Sequence, residues 1–270
     1  RLPAAVRGLS LVLLALCATL GAPGSRASDE GNPELAGTGL TPSSLEHARQ
    51  LRDRALQGTL AWDIVESLTT EVGPRLAGTE AEVRARDWAL KRLRRMGFEN
   101  VRVEPFEMQT WVRGHEYAAI VSPFPQPLEI TALGGSVATP ADGLEAELVA
   151  FDSLSALRAA PPGSLRGRIA YVGHAMQRTQ DGSSYGHYGK LRREGAAVAA
   201  GKGAAGILIR SIGTDSHRFP HTGSMRYAEG VEKIPAAALS NPDADQIERI
   251  LARGKPVRVR LELAPEVLGT

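Results

Sequence analysis

From Glu147 to Leu263 short apolar runs alternate with helical stretches, and this alternation limits the possible folds more than any other feature. The runs Glu147–Phe151, Arg168–Val172, Gly206–Arg210, Ile234–Leu239 and Val257–Leu263 have strand length and are bounded by turn residues. Helices are predicted near Tyr188–Gly201 and Ala244–Arg253. Helices interleaved with strands bury their apolar stripes against a sheet, so the expected fold class is α/β. At 270 residues the chain has the length for one large domain or two modest ones.

The region ahead of these strands reads as helical. Ser43-x-x-Glu46 has the form of a capping box, with Leu45, Ala48, Leu51 and Ala55 at helical spacing behind it. A second helix is predicted from about Ala61 to Thr70, with Ile64, Val65 and Leu68 inward, stopped by Gly73-Pro74. The clearest helix runs from Glu80 to Met96, with Ala85, Trp88, Ala89, Leu93 and Met96 as its expected buried stripe. Glu80 and Glu82 open it, Lys91, Arg92, Arg94 and Arg95 close it, and Gly97 supplies the cap, as the macrodipole favours. Strands are expected at Val101–Glu107 and Tyr117–Val121. Pro123, Pro125 and Pro127 then change the texture, and a domain boundary is placed there.

Residues 1–27 read as an export signal: Arg1 and Arg7, an apolar stretch from Leu9 to Ala22, then Ser25-Arg26-Ala27. The apolar stretch is short for a membrane span. Asp29 to Gly39 reads as a polar linker, within a linker region 28–42. The expected location is exported, either periplasmic or extracellular. Removing the signal takes away three arginines and no acid, leaving 29 basic residues against 30 acidic ones. A near-neutral chain gives no electrostatic reason to bind nucleic acid or an anionic membrane. Cys17 is the only cysteine and leaves with the signal, which removes disulfides, thiol nucleophiles and thiolate zinc sites.

Most motifs that suggest chemistry fail on context. Gly201-x-Gly203-x-x-Gly206 has dinucleotide-loop spacing, but a helix precedes it and a strand follows, the reverse of the required order. Close helix–strand packing explains these glycines better. Gly182-x-Ser184-x-Gly186 has the letters of a nucleophile elbow, with Asp215 and His217 or His221 in hydrolase order behind it. The residues before Ser184 form a polar loop rather than an apolar strand, so a serine hydrolase remains the lesser alternative. His115-Glu116 lacks the second histidine of a zinc helix, because Ala119 stands in its place. The six histidines at 47, 115, 174, 187, 217 and 221 form no His-x-Asp pair, and no two glutamates are adjacent. A co-catalytic metal site needs such a cluster. The loop from Arg218 to Tyr227 is the best cleft candidate, with His221, Thr222 and Tyr227 as its candidate substrate-contacting residues.

Several segments, taken in order, resemble zinc exopeptidases of the aminopeptidase type, and among them the carboxypeptidase Q-like group. They are Glu71-Val-Gly-Pro-Arg-Leu-Ala-Gly-Thr79, Trp111-Val-Arg-Gly114, Gly203-Ala-Ala-Gly-Ile-Leu-Ile-Arg-Ser211, Pro220-His-Thr-Gly223 and Lys233-Ile-Pro-Ala236. The resemblance covers nearly all of residues 43–263. It implies that residues 43–124 start a catalytic α/β domain, that 125–264 form an inserted protease-associated domain over the cleft, and that 265–270 return to the catalytic domain. It also implies two zinc ions activating water, a peptide or dipeptide substrate, and a possible homodimer. In such enzymes the metal set follows the insert, so no catalytic or metal residue carries over to this chain, which is expected to be inactive by itself. The alternative is a standalone protease-associated module that binds a peptide or partner.

Overall fold

The structure, a computed structural model, describes residues 40–269. The signal segment, Cys17 and most of the linker lie outside the described residues. The chain divides between Glu66 and Ser67 into two compact units.

In the first unit, helix α1 (Pro42–Gln57) is capped two residues ahead of Ser43, the expected cap. Thr41 is the cap: its hydroxyl accepts from the Ser44 amide at 3.1 Å, and Pro42 occupies the first turn, where a missing N–H costs nothing. Glu46 instead accepts from Gln50 one turn on. Helix α2 (Leu60–Ser67) is followed by a π-helical turn, Leu68–Val72, which ends at Gly73. Neither α1 nor α2 contains a fully buried residue: of the positions expected inward, Ile64 and Leu68 are half-buried and Val65 is exposed.

The second unit, which begins at Ser67 and so includes that π-helical turn, continues with α3 (Glu80–Arg95), where the sequence placed it. Its expected stripe is only partly covered: Ala85, Trp88 and Ala89 are half-buried, Leu93 and Met96 are 37% and 41% exposed, and no residue of the helix is fully buried. The physical reason is that the π-helical turn reaches only the Trp88 end of this face, where the indole donates to Ser67 Oγ at 2.8 Å. Residues 101–107, expected as a strand, are irregular, since among the described residues no neighbouring strand completes a ladder with them.

Ten strands follow or interleave with the remaining helices: β1 (Thr110–Val112), β2 (Glu116–Ser122), β3 (Gln126–Leu128), β4 (Ile130–Ala132), β5 (Leu144–Phe151), β6 (Ile169–Val172), β7 (Gly206–Arg210), β8 (Ala236–Leu239), β9 (Arg258–Leu263) and β10 (Glu266–Leu268). Eight of them make one sheet in the order β3-β2-β9-β5-β6-β7-β8-β4. Strands β5 to β8 run parallel; the remaining pairs are antiparallel. Strands β3 and β4 stand at opposite ends of that order, yet only Glu129 separates them in sequence. The sheet must therefore curl until its two edges meet.

Both faces of the parallel strands are covered, as their unbroken apolar content requires. On one face Ala170, Val172, Ile207, Ile209, Ala236 and Ala238 pack with Leu157 of α4 (Leu154–Ala159) and with Leu191, Ala196 and Ala199 of α5 (Tyr185–Gly201). On the other, Tyr171, Leu208, Ala237 and Leu239 pack with Ala244, Ile247 and Ile250 of α6 (Asn241–Leu251). Gly203, at φ +86°, turns the chain from α5 into β7, which accounts for the glycine spacing as a helix-to-strand turn. The prolines at 123–127 mark the turn between β2 and edge strand β3, where Pro127 pairs opposite Ala119 without needing an N–H on the open side.

Strands β1 and β10 form a separate antiparallel ribbon, with Trp111 opposite Val267. The Trp111 indole donates to the Ser136 carbonyl at 2.9 Å, and Ser136 Oγ accepts from the Ala236 amide at 2.9 Å, tying the ribbon to β8.

Candidate functional site

Polar side chains gather where the parallel strands end. The loop after β6 carries His174, Asp181 and Ser184, and the loop after β7 carries Ser211, Asp215, His217 and His221. The carboxyl ends of parallel strands are the usual ligand position in such sheets, because loops there diverge around a crevice.

Three cleft candidates came from the second loop, and their surroundings differ. Tyr227 is half-buried, and its hydroxyl donates to the Ile234 carbonyl while accepting weakly from the Val137 amide at 3.4 Å. Burial raises its pKa above the ordinary phenol value. Thr222 donates to the Ala132 carbonyl at 3.0 Å. Both hydroxyls fasten the loop to the sheet. His221 is exposed, its amide donates to Ser211 Oγ at 2.8 Å, and its Nε2 lies 2.8 Å from the Tyr185 hydroxyl. Arg192 Nη1 donates to that same hydroxyl at 2.6 Å. The phenol oxygen therefore accepts from the guanidinium and shares a second hydrogen bond with the imidazole.

Sequence reasoning missed Tyr185 and Arg192. Their signal was faint: they stand seven residues apart on one helix, two turns along the same face, and His221 reaches them only through the fold.

Ser184 sits at the start of α5 and donates to the Gln177 carbonyl at 2.7 Å. Asp215 and His217 pair with each other at 3.4 Å, while His221 faces Tyr185. No acid–imidazole–serine chain forms among the described residues, which weighs against the serine hydrolase alternative.

Two further clusters flank the strand ends. Arg210, with its side chain only 7% exposed, closes β7 and contacts Asp245 at 2.6 Å and Glu248 at 2.9 Å, both on α6. Tyr171 donates to Glu248 at 2.8 Å, and burial together with that carboxylate pushes its pKa far above the ordinary range. His174 packs against Tyr188 at 4.4 Å between ring centroids and against His187 at 5.8 Å. Burial, then the neighbouring His187, holds its pKa below the ordinary imidazole value.

A two-zinc centre requires several imidazoles and carboxylates converging on a pair of ions. No group of three or more His, Cys, Asp or Glu side chains suited to a metal comes together among the described residues. The described side chains thus do not fit a zinc site.

Among the described residues no helix is long and apolar enough to cross a membrane. The chain matches no protein-family model. It is 35% identical to carboxypeptidase Q of Bos taurus over 196 residues, 73% of this chain and 40% of that protein. It is 30% identical to carboxypeptidase Q of Xenopus laevis over 258 residues, 94% of this chain and 53% of that protein. Among solved structures, a peptidase M28 precursor from Shewanella amazonensis SB2B superposes with a TM-score of 0.80 at 54% identity, over 83% of this chain and 51% of that one. The chain spans about half the length of the relatives it matches.

Proposed function

We propose that this chain, similar to carboxypeptidase Q and to an M28 peptidase across about half of their length, is the leading portion of an exported zinc exopeptidase that hydrolyses dipeptides or small peptides. Residues from 43 to the β1–β10 ribbon begin the catalytic α/β domain, and the curled sheet is the protease-associated domain inserted into it. The sequence placed that junction at residue 124. Strand β2 ends at Ser122 and yet is the second strand of the sheet, so the ribbon is the better junction.

The pairing of β1 with β10 carries this reading. A domain inserted into a host must leave it and return to it at neighbouring points, and the ribbon sets the outgoing and returning segments side by side. The helices ahead of it add support: α1, α2 and α3 bury none of their residues, as expected of elements whose other half lies in further polypeptide. In this reading the zinc ligands belong to that further polypeptide, since the described side chains do not supply them. Export rests on residues 1–27, and a homodimer rests on the family resemblance.

Co-expression with the remaining half of the Shewanella amazonensis peptidase provides the test. The expected result is a stable complex in which the amides of α3 and of residues 101–107 gain protection from hydrogen exchange. A chain that stays alone, with those amides exchanging freely, overturns the proposal. The well-filled core of the sheet domain favours one second reading, a standalone module that binds a peptide or partner.

A further inference from the structure

We propose that one side of α3, where Arg84, Lys91, Arg92 and Arg95 border a cavity of about 590 Å³ shared with the π-helical turn, binds a phosphate monoester. Such a site lies outside the peptidase reading above and stands without it.

Helical spacing puts these cations together. Positions 84, 88, 91, 92 and 95 are three or four residues apart, so they share one side of the helix, with Trp88 among the cations. The helix dipole favours cations in the last turn, but Arg84 stands in the second turn, where it does not. None of the four has an ion pair with Asp or Glu among the described residues, whereas Arg86, elsewhere on the helix, meets Glu82 at 3.9 Å. The two acids that line the cavity, Glu71 and Asp87, leave four cations a net charge of +2 there. Glu71 is already engaged: its Oε1 accepts from Ser67 Oγ at 2.6 Å, and that Oγ accepts from the Trp88 indole at 2.8 Å.

The indole fixed in this way carries the Arg92 guanidinium, whose Cζ lies 5.4 Å from the ring centroid. Arg92 is half-buried and its Nε is buried without a hydrogen-bond partner, so the guanidinium has lost part of its water before any ligand arrives. A held guanidinium among three further cations suits a phosphate, which brings about two negative charges and three acceptor oxygens for their N–H donors. The volume leaves room beside it for the organic part of the ester. A different side of α3 awaits further polypeptide: Ala89, Leu90 and Leu93 border an apolar groove with Val103 and Met108. The groove and the cationic cavity share no residue, so a partner seated in the groove leaves the cations open.

The test is an NMR titration of this chain with glucose 6-phosphate and with glucose, read on the Trp88 indole N–H. Beside it, cosedimentation is measured with phosphatidylcholine vesicles containing or lacking phosphatidic acid. Saturable shifts with glucose 6-phosphate and none with glucose are expected. A response to the phosphatidic acid vesicles alone would also support the site and assign the ester to a lipid headgroup. Arg92→Gln should weaken binding about tenfold, and Arg84→Gln, made separately in case the first variant fails to fold, should do the same. Arg94→Gln should leave binding unchanged, because Arg94 reaches the Val101 carbonyl instead of the cavity. Shifts with glucose equal to those with its phosphate, no response to either phosphate ester, or an Arg94→Gln loss matching that of Arg92→Gln would each overturn the inference.

Discussion

Asp243 Oδ2 accepts the backbone amide of Glu129 at 2.8 Å, and Glu129 is the single residue between the two edge strands of the sheet. One carboxylate at the start of α6 thus pins the point where the curled sheet closes. It also accepts from Ser240 Oγ at 2.7 Å and from Arg218 at 3.0 Å, and its side chain is only 10% exposed.

Asp243→Ala leaves the Glu129 amide without its acceptor, takes the carboxylate from Arg218, and removes the Ser240 hydroxyl's acceptor while the amide at 243 still donates to Ser240 Oγ. A loss of about 2–4 kcal/mol is expected, from several charge-assisted bonds in a poorly hydrated place. Urea unfolding followed by far-UV circular dichroism checks it. A loss below 1 kcal/mol would show that the closure is held by packing alone.

The Arg210 network makes a second, graded prediction. Arg210→Met strips Asp245 and Glu248 of their cation, but these acids are 51% and 42% exposed and water can partly replace it. The expected cost is therefore about 1–3 kcal/mol, below that of breaking a fully buried pair. Tyr171→Phe removes one hydrogen bond to Glu248 and should cost about 1 kcal/mol. Because both act on Glu248, the double variant should cost less than the sum. Thermal or urea melts of the three variants decide the matter.

His174 gives a pH dependence whose sign follows from its environment. Its folded pKa lies below the ordinary value of 6.5, so protonation is easier in the unfolded chain. The stability it contributes is present above pH 6.5 and is lost as pH falls through the folded pKa. Asp152 and Glu248 line the same depression. Melting temperature measured downward from pH 8 should fall more steeply below pH 6.5 in the parent than in His174→Gln. Parallel curves would remove His174 as the cause.

The two ends of the chain should respond differently to truncation of large apolar residues. Ile207 is fully buried in β7, and Ile207→Ala should cost about 3–5 kcal/mol. Leu93 on α3 is 37% exposed, and Leu93→Ala should cost less than about 1 kcal/mol in this chain. Equal costs in urea unfolding would mean that α3 is covered after all.

The sheet domain was legible in the sequence because local and tertiary demands agree there. Gly206–Arg210 is a strand by its apolar run and is buried on both faces by the fold, so the sequence boundaries match the structural ones. The α3 boundaries were equally legible, since charges and Gly97 mark them locally, but its burial was not. Periodicity reports which face is apolar and says nothing of whether a partner covers it. Residues 101–107 failed for a related reason: strand propensity is realised only when a neighbour completes the ladder. At the strand ends, His221 stood out by residue type, while Tyr185 and Arg192 are ordinary helix residues until the β7 loop brings His221 onto them.

The central claim is that the metal centre and the activity require polypeptide beyond this chain, and metal analysis joined to a hydrolysis assay tests it most directly. The purified chain, alone and fused to the remaining half of the Shewanella amazonensis peptidase, is dialysed against zinc, analysed for bound metal and given alanyl-alanine. We predict no stoichiometric zinc and no hydrolysis for the chain alone, and bound zinc with chelator-sensitive hydrolysis for the fusion. Stoichiometric zinc held by the chain's own side chains, with hydrolysis that a chelator abolishes, would contradict the account.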